Sequence, residues 1–432
     1  MREYSEYKKS GNSIIGNIPS RWNLIKFKRI CHGFNNGTSC DQIAPSENTV
    51  AVSRIETISG GKLNYDKVGY ILPDSKLDRY KLNKGDILFS NINSYEKVGN
   101  TAIYDGRVPL YHGMNLLRII PNTVLVNNIF LYHYLKSTLF TLQVQRKCKP
   151  AINQVSVPSH YVKDIDFPFP SLAEQESIAS FLDEKTTKID EYIDKKNKEI
   201  EALKEWKKAL IAHVVTKGLN TNAKMKDSGV SWIGEIPEHW EVKRLGSAFI
   251  ENRTINSSLE ITEAYKFNYG ALIRKDEDVN PTEMMDTYCK YTCLNVNDIV
   301  INGLNLNYDF VSQRVAKAYA KGIITSAYLT LTPRNGINSN YYLYLLKSMD
   351  SMKLFHGMGT GIRLTLSYNE IKKQQILFPP LVEQQEIVEY IDAATTKADK
   401  MIVELTNHVE SMKEYKQRLI ADVVTGKINV QP

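Results

Sequence analysis

The chain has 432 residues, of which 42% are hydrophobic and 24% are charged, values typical of a folded protein with two or three domains. This composition excludes a collagen-like chain, a disordered tail and a small disulfide-framed domain. The net charge is only +7, from 55 basic and 48 acidic residues. We expect a cytoplasmic location, because no apolar run is long enough to span a membrane, the N-terminus is polar, and the five cysteines are few and odd in number.

Two pairs of similar segments show that the chain contains an internal repeat. Residues 11–22, GNSIIGNIPSRW, resemble residues 229–240, GVSWIGEIPEHW. Further along, residues 172–190, LAEQESIASFLDEKTTKID, resemble residues 381–399, LVEQQEIVEYIDAATTKAD. Similarity between these blocks is thin. Each half therefore has a shared frame that encloses a dissimilar segment.

The dissimilar segments contain short strand-like runs separated by turns. GDILFS (85–90), NDIVIN (297–302), NLLRIIP (115–121) and AYLTLTP (327–333) are the clearest candidates for strands. One helix is expected in each segment, near 127–142 and 339–355. The pattern is typical of a mixed α+β domain.

The repeated block after each such segment predicts a long helix. Each block opens at a proline, Pro170 or Pro380, and contains no glycine or further proline until Gly218 or Gly426. Apolar residues recur every seven positions, which predicts a partner helix in the same chain. The a-like positions are Ala179, Thr186, Ile193, Ile200, Lys207 and Val214, and Val388, Thr395, Ile402, Val409, Lys416 and Val423. The d-like positions are Leu182, Ile189, Lys196, Leu203 and Leu210, and Ile391, Ala398, Leu405, Met412 and Leu419. Packing of each helix on its own domain is the alternative.

We predict four segments: 1–168 (the first head), 169–219 (the first long helix), 220–378 (the second head) and 379–432 (the second long helix). The first head holds 22 basic and 13 acidic residues, a net charge of +9, whereas the second holds 18 and 16, a net charge of +2. The helical segments carry −1 and −3. The basic excess of the chain therefore lies in the heads.

Common catalytic motifs are missing from the sequence. There is no GxxxxGK[ST] phosphate loop, no GxGxxG after a strand, no HExxH and no [DNS]PP[YFW] methyltransferase signature. The histidines and cysteines do not recur at the spacing of metal ligands. We therefore expect no catalysis by this chain alone.

Two basic, dissimilar heads on a helical frame favour a protein that contacts DNA at two places, because basic side chains neutralise phosphates while Arg, Lys, Asn and Gln read base edges. The candidate DNA-binding residues of the first head are Arg54, Lys62, Asn91, Asn93, Lys97, Arg107, Arg146, Lys147, Lys149, Asn153 and Gln154. Those of the second head are Arg253, Arg274, Lys275, Asn302, Asn305, Asn307, Arg314 and Arg363.

The duplicated order of motifs resembles the specificity subunits of type I restriction–modification systems. The motifs are IPxxW at 18–22 and 236–240, the GDILFS-like strand at 85–90 and 297–302, and the EQ that opens each long helix at 174–175 and 383–384. Each helix closes with LIAxVVT. The resemblance covers essentially the whole chain. Family members often carry arginine after the GDILFS-like strand, whereas Asn91 and Gly303 stand there in this sequence.

The resemblance implies that each head is a target recognition domain reading one half of a bipartite, asymmetric DNA site. It implies that the two long helices form an antiparallel coiled coil, so that the fold is α+β with a pseudo-two-fold internal repeat. The implied partners are two modification subunits, which methylate adenine with S-adenosylmethionine, and restriction subunits that use ATP and Mg²⁺. No cofactor is expected on this chain.

Two other hypotheses remain. The chain could be a two-headed coiled-coil scaffold that binds proteins. The net charge of only +2 on the second head is compatible with this hypothesis. It could also be a single-chain nuclease or methyltransferase, against which the missing motifs argue.

Overall fold

The structure is a computed structural model that describes residues 2–59, 61–151, 154–275, 281–308, 313–361 and 364–431. The chain divides into two units, Met1–Asn197 with Thr406–Pro432, and Lys198–Leu405. Each unit therefore combines one head with a part of both long helices. Among the described residues, no helix is both long and apolar enough to cross a membrane.

The first unit is built mainly from short antiparallel strands. Its strands are β1 (Tyr7–Lys9), β2 (Asn17–Pro19), β3 (Asn23–Lys26), β4 (Cys31–Asn36), β5 (Val50–Val52), β6 (Gly69–Ile71), β7 (Ile87–Phe89), β8 (Ile92–Asn93), β9 (Thr101–Ile103), β10 (Leu110–Tyr111), β11 (Leu117–Pro121), β12 (Lys149–Ala151), β13 (Gln154–Ser156) and β14 (Asp166–Phe169). Its helices are α1 (Asn128–Leu135), α2 (Thr138–Gln145), α3 (Ser159–Lys163) and the first part of α4 (Leu172–Lys217), with 3-10 turns at Phe27–Ile30, Glu56–Ile58, Tyr65–Lys67 and Ser75–Tyr80.

The core of the first head lies between a four-stranded sheet, in the order β4-β11-β7-β9, and the helices α1 and α2. Aromatic rings fill it edge to face: Phe140 meets Phe27, Phe89 and Tyr134 at centroid distances of 5.6–6.1 Å. Tyr134 also packs on Phe167, at 4.8 Å. Buried aromatic pairs of this kind add to the hydrophobic stabilisation of the core.

The second unit repeats the order of the central sheet. Its strands are β15 (Met225–Asp227), β16 (Glu235–Pro237), β17 (Glu241–Arg244), β18 (Phe249–Glu251), β19 (Tyr265–Asn268), β20 (Ala271–Arg274), β21 (Thr292–Leu294), β22 (Ile299–Ile301), β23 (Val315–Lys317), β24 (Gly322–Ile324), β25 (Leu329–Pro333) and β26 (Gln375–Phe378). Its helices are α5 (Pro281–Tyr288), α6 (Ser339–Ser351), α7 (Tyr368–Ile371) and the first part of α8 (Leu381–Val424), with 3-10 turns at Leu245–Ser247, Leu306–Tyr308 and Leu354–Met358.

In the second unit the central sheet has the order β18-β25-β22-β23, which matches β4-β11-β7-β9 strand for strand. The four predicted strand runs all form part of these two sheets. The smaller sheets differ: β10-β5-β6 in the first unit has a parallel pair, whereas the second unit has the separate pairs β19-β20 and β21-β24. The repeat is thus confirmed in the four-stranded central sheets, whereas the smaller sheets of the two units differ.

The single helix predicted near 127–142 is wrong, because the chain forms two helices there. α1 ends before Lys136, and the side chain of Ser137 accepts a hydrogen bond from the backbone N–H of Phe140 (3.3 Å), which caps the start of α2. A serine in this position satisfies an N–H that lacks a partner within the helix, and it therefore favours a new helix start.

The two long helices confirm the predicted heptads. The a-like and d-like side chains of α4 and α8 are buried or half-buried. Ile193, Ile200 and Val409, for example, are at most 8% exposed. In the first unit Asp190 of α4 binds Lys416 of α8, and in the second unit Lys207 of α4 binds Asp399 of α8. Within the first unit, the start of α4 and the end of α8 both contact Trp22, and Asp190 further along α4 pairs with Lys416 earlier in α8, so the helices run antiparallel there.

The lysines at two a-like positions have a specific role in this pairing. Lys416 donates to both carboxylate oxygens of Asp190 at 2.6 and 2.7 Å, and its side chain is only 15% exposed. Polar residues at a positions specify the register of a coiled coil at some cost in stability. The pairs of Lys416 and Lys207 therefore fix how α4 and α8 align.

A buried ion pair supports the sheet of the first head and is replaced in the second. Asp86 lies 2.5 Å from the guanidinium of Arg118, and both side chains are at most 6% exposed. The corresponding Asp298 instead accepts hydrogen bonds from Asn252 (2.9 Å) and Thr332 (2.7 Å). A carboxylate at this turn is thus kept, while its partners change.

Replacing Arg118 tests the buried pair. Arg118→Met leaves the buried carboxylate of Asp86 without its counter-charge, so we expect the free energy of unfolding to fall by about 3–5 kcal/mol. Urea denaturation measures it, with Lys28→Ala, which removes an exposed pair with Asp164, as a control expected to change little. Equal effects of the two variants would contradict the assignment, and adding Asp86→Asn to Arg118→Met should recover part of the loss.

Buried His112 predicts acid sensitivity. Burial lowers the pKa of His112 to about 4. Between pH 6.5 and 4 the unfolded chain binds a proton at this residue that the folded chain does not, so stability falls with falling pH, by at most about 1.4 kcal/mol per pH unit. Urea unfolding between pH 7 and 5 should therefore be less pH-dependent in His112→Gln than in the wild type. The exposed-histidine control His32→Gln should keep the wild-type slope; the same slope in all three proteins would refute the prediction.

Candidate nucleic-acid interface

In the first unit, the tryptophan of the IPxxW motif connects the head to both long helices. The indole N–H of Trp22, which is fully buried, donates to Glu174 at the start of α4 (3.0 Å). Arg21 binds the same carboxylate at 2.6 Å. Burial raises the pKa of Glu174, but the hydrogen bonds from Trp22, Arg21 and Ser171 outweigh it, so the pKa lies below its usual value. The carboxylate is therefore held ionised.

The C-terminal end of α8 closes the same site. Gly426 has a φ of +72°, the left-handed conformation in which glycine commonly follows a helix. A Cβ at this position would lie 2.5 Å from Pro19 and 3.1 Å from the ring of Trp22. Glycine is therefore required both by the backbone conformation and by the close approach of the IPxxW motif.

The second unit builds the same frame with the helices exchanged. Trp240 donates its indole N–H to Glu383 at the start of α8 (2.9 Å), and His239 lies 2.6 Å from that carboxylate. Gly218, with a φ of +74°, follows α4, and a Cβ there would lie 3.1 Å from the ring of Trp240. One tryptophan, one glutamate and one glycine thus fix each head to the two helices.

The glutamine of each EQ motif fixes the helix of the adjacent head. Gln175 accepts a hydrogen bond from the backbone N–H of Asn127 (2.9 Å), and Gln384 accepts one from Asn338 (2.9 Å). Each glutamine also donates to the carbonyl of a proline just before its own helix. Asn127 and Asn338 cap α1 and α6 with their side chains. The motif therefore orients the head as well as starting the long helix.

In the first head, the structure brings several predicted DNA-binding residues to one small sheet. Its order is β12-β13-β8, with Val155 opposite Asn93 and Lys149 opposite Ser156. Asn93 is half-buried, whereas Lys149 and Gln154 are exposed. Asn91 precedes β8, and its carbonyl accepts a hydrogen bond from Val157. Residues distant in sequence thus share one surface.

The basic run before this sheet extends the same surface. Arg146, Lys147 and Lys149 are exposed, and no carboxylate of the described residues lies within 4 Å of them. Both lysine ammonium groups lie over the ring of Tyr161, at 5.8 and 6.0 Å, and Arg146 donates to Ser13 (3.2 Å). Unpaired cations around an aromatic ring are suited to phosphates and stacked bases.

Other candidates of the first head lie apart from this surface or only beside it. Arg54 faces Glu56 at 3.6 Å, and Arg107 binds Asp105 at 2.6 Å. Lys62 and Lys97 are exposed, and Lys97 belongs to the turn that follows β8. Of these four candidates, Lys97 is therefore the one next to a strand of the β12-β13-β8 sheet.

In the second head, Arg314 organises the turn that follows β22. Its guanidinium donates to the backbone carbonyls of Asn302 (3.0 Å), Leu304 (2.7 Å) and Asn305 (3.2 Å). Asn305 and Asn307 are exposed on this turn, and Asn305 has a φ of +51°. The guanidinium therefore fixes the backbone from Asn302 to Asn305, in the turn that carries these two exposed asparagines.

Close packing against Leu366 requires glycine at position 303, which the sequence did not reveal. A Cβ at this position would lie 2.8 Å from the carbonyl oxygen of Leu366 and 2.9 Å from its Cβ. The backbone of Leu366 donates to the carbonyl of Gly303 (2.8 Å), which parallels the bond from Val157 to Asn91 in the first head. The close approach explains why no side chain stands there.

The remaining candidates of the second head have partners within the head. Arg253 binds Glu251 at 2.7 Å, and Arg274 binds Glu263 at 2.6 Å. Lys275 is half-buried and donates to the hydroxyl of Tyr291 (3.2 Å). The candidates Asn153 and Arg363 lie outside the described residues.

Sequence reasoning missed Tyr161 and the hairpin β19–β20. Tyr161 lies fourteen positions from Lys147 in the numbering and comes close only in the folded head. The hairpin has a detectable signal, the sequence Asn268-Tyr269-Gly270 between strand-like runs. Both features add an aromatic side chain, Tyr161 or Tyr269, to a surface for which the sequence predicted only basic and amide residues.

Comparison with known proteins identifies the repeated frame. Residues 19–202 and 237–411 each match the sequence model of a family described as the type I restriction modification DNA specificity domain. The two matches together cover well over half of the chain, and each includes one head and most of one long helix.

Two relatives align with most of the chain. A protein of Methanocaldococcus jannaschii named as the MjaX specificity subunit of a type I restriction enzyme is 29% identical over 430 residues, covering 96% of both chains. The EcoBI specificity subunit of Escherichia coli is 22% identical over 332 residues, covering 71% of this chain and 66% of the relative.

Solved structures share the fold. A chain from a study of complex assembly and conformational transition of the type I R-M system has a TM-score of 0.69 at 16% identity, covering 95% of this chain and 99% of that chain. The HsdS subunit of Thermoanaerobacter tengcongensis has a TM-score of 0.51 at 17% identity, covering 95% and 98%. At this identity the likeness supports the fold.

Removing the basic run tests the surface of the first head. The variant with Arg146→Ala, Lys147→Ala and Lys149→Ala should bind a DNA duplex more weakly, because phosphate contacts are lost. The slope of log affinity against log salt should fall by about 0.9 per lost contact. Fluorescence anisotropy at several salt concentrations measures both. Lys195→Ala, Lys198→Ala and Lys208→Ala remove equal charge from α4 as a control; an unchanged slope in the head variant would show that the surface is misplaced.

Proposed function

Since this chain belongs to the family of type I restriction–modification DNA specificity domains, we propose that its two heads read the two parts of a bipartite, asymmetric DNA site. The chain is the DNA sequence-specificity subunit of such a system and is not itself catalytic. The observation that carries the proposal is the frame: it is built twice with the same contacts and encloses two heads with different surfaces. Different heads suit different half-sites.

The two heads offer different chemistry for DNA. The first presents Arg146, Lys147 and Lys149 with the amide of Gln154, whereas the half-buried amide of Asn93 is hydrogen-bonded to Ser90 and Ser94. The second presents the amides of Asn305 and Asn307 on a turn held by a guanidinium. Lys and Arg favour guanine edges and phosphates, whereas Asn and Gln favour adenine. We therefore propose that these surfaces bind DNA, and we extend the proposal to the other predicted residues of each head.

The long helices are proposed to set the gap between the half-sites. Antiparallel helices joined by buried heptads form a stiff element, and the pairs of Lys416 with Asp190 and of Lys207 with Asp399 support one register. A spacer with a fixed register holds its two ends at a fixed separation. We propose that the predicted segments 1–168 and 220–378 read DNA and that segments 169–219 and 379–432 form the spacer.

The specificity subunit binds DNA and assembles with other subunits. We propose that these are two modification subunits and, in the complete enzyme, restriction subunits. The repeated frame supports two equivalent docking places, and exposed apolar side chains on α4 and α8, such as Trp206, Tyr390 and Val403, offer contact surface. S-adenosylmethionine, ATP and Mg²⁺ are assigned to those partners, in the cytoplasm of a prokaryotic cell.

A protein-binding scaffold without DNA specificity is the second candidate function. The acid partners of Arg253 and Arg274 in the second head are the observation that favours it. The membership in a DNA specificity family favours DNA, and so does the basic run of the first head, which has no carboxylate within 4 Å in the part of the chain that the structure describes. We therefore adopt DNA binding.

Lengthening both helices tests the proposed spacer. One added heptad after Ile200 and one after Leu405 keep the apolar stripe and extend each helix by about 10 Å, the length of about three base pairs. Methylation sequencing of a host that expresses the complex should show the same half-sites with a gap longer by about three base pairs. A control replaces residues 194–200, which contain neither Lys207 nor its partner, by the inserted sequence without adding length. A changed half-site sequence, or an unchanged gap, would overturn the spacer role.

A further inference from the structure

A two-stranded ribbon lies on the surface of the second head, and its tip lines a cavity together with Lys208 of α4 and Lys347 of α6. β19 and β20 pair antiparallel over four residues, from Tyr265 opposite Arg274 to Asn268 opposite Ala271. The two residues between them, Tyr269 and Gly270, both have a positive φ, of 43° and 76°. Two left-handed residues in a two-residue loop form a type I′ turn, whose twist matches that of the strands.

The two faces of this ribbon differ in chemistry. Tyr265, Phe267 and Leu272 face inward and pack against the cluster that contains Val300 and Ile324. The alternate residues are exposed: Lys266 and Asn268 on β19, with Ala271 and Ile273 opposite them on β20. Alternation of this kind holds one face on the core and leaves the other available.

Tyr269 at the tip is unusual in two respects. A bulky residue with a positive φ is rare, because its Cβ is crowded in that conformation, and Asn or Gly normally occupies the first position of a type I′ turn. The side chain is also 70% exposed, so packing within the head does not offset the strain. Strained residues of this kind cluster where a protein contacts a ligand.

The charge of the ribbon suits a polyanion. Residues 264–275 contain three basic and no acidic residues, in a head whose net charge is +2. Arg274 is bound by Glu263, whereas Lys266 lies on the exposed face without a carboxylate within 4 Å among the described residues. The acidic residues 276–278 that follow in the sequence lie outside the described residues.

The tip lies beside the turn that carries the exposed asparagines. A Cβ at Gly270 would lie 3.5 Å from the carbonyl of Val315 and 3.8 Å from Gln313, where β23 begins. Arg314, between these two, holds the turn of Asn302–Asn305 through its guanidinium. The ribbon tip and the asparagine turn thus both lie near the start of β23.

We propose that the hairpin Tyr265–Arg274 is the element with which the second head enters the major groove of its half-site. This inference rests on the proposed function. A two-stranded ribbon fits that groove, in which Lys reads guanine, Asn reads adenine and apolar side chains contact the thymine methyl group. Lys266, Asn268, Ala271 and Ile273 supply these chemistries on one face, and Tyr269 contacts the DNA at the tip.

Two variants test the hairpin without unfolding it. Tyr269→Asn replaces a strained residue by the one that the turn prefers, so the melting temperature should not fall. Lys266→Ala with Asn268→Ala removes the polar pair from the exposed face. The complex with the modification subunits is incubated with a library of random duplexes, bound DNA is sequenced, and base preference is measured at every position of both half-sites.

We expect discrimination to fall by about 5- to 150-fold at one or more positions of a single half-site, with the other half-site unchanged. Tyr319→Asn is the matched control, since Tyr319 is equally exposed (71%) but lies beyond the other end of β23. Wild-type preference in both variants, or an equal change in the control, would overturn the assignment. A wild-type complex without any sequence preference would instead refute the proposed function.

Discussion

The hydrogen bond from a buried indole to a glutamate at a helix start is the constraint on which the rest of the fold depends. Trp22 and Trp240 each donate to the carboxylate that begins one long helix, and each ring lies against the glycine that ends the other. A single side chain therefore locates a head relative to two helix ends. Because an unpaired buried indole N–H or carboxylate is costly, neither partner can change alone.

This constraint leaves the interior of each head free to vary. The four-stranded sheets keep the same order, but the carboxylate beside them is neutralised by Arg118 in the first head and bound by the neutral side chains of Asn252 and Thr332 in the second. Either arrangement satisfies a buried acid. A frame that fixes position and tolerates such exchange allows two heads of different specificity within one chain.

The two heads also differ in how their charged side chains are arranged. The first places Lys147 and Lys149 over the ring of Tyr161, with no carboxylate within 4 Å of them among the described residues. In the second, Arg253 and Arg274 are bound by neighbouring carboxylates, and the exposed turns carry amides and tyrosines. Affinity from phosphate contacts and discrimination from base edges need not come equally from both heads. The low net charge of the second head is thus compatible with reading DNA.

The sequence by itself determined the repeat, the long helices with their heptads, the family and the strands of the central sheets, because these features depend on local periodicity and on motifs written along the chain. It did not reveal the break between α1 and α2 at Ser137, the close approach that requires Gly303, or the engagement of Arg314 with backbone carbonyls. Nor could it separate the basic residues that share the β12-β13-β8 surface from Arg54 and Arg107, which bind neighbouring acids. Only the tertiary structure decided these points, because they depend on which atoms meet across distant parts of the chain, and composition and spacing carry no record of such contacts.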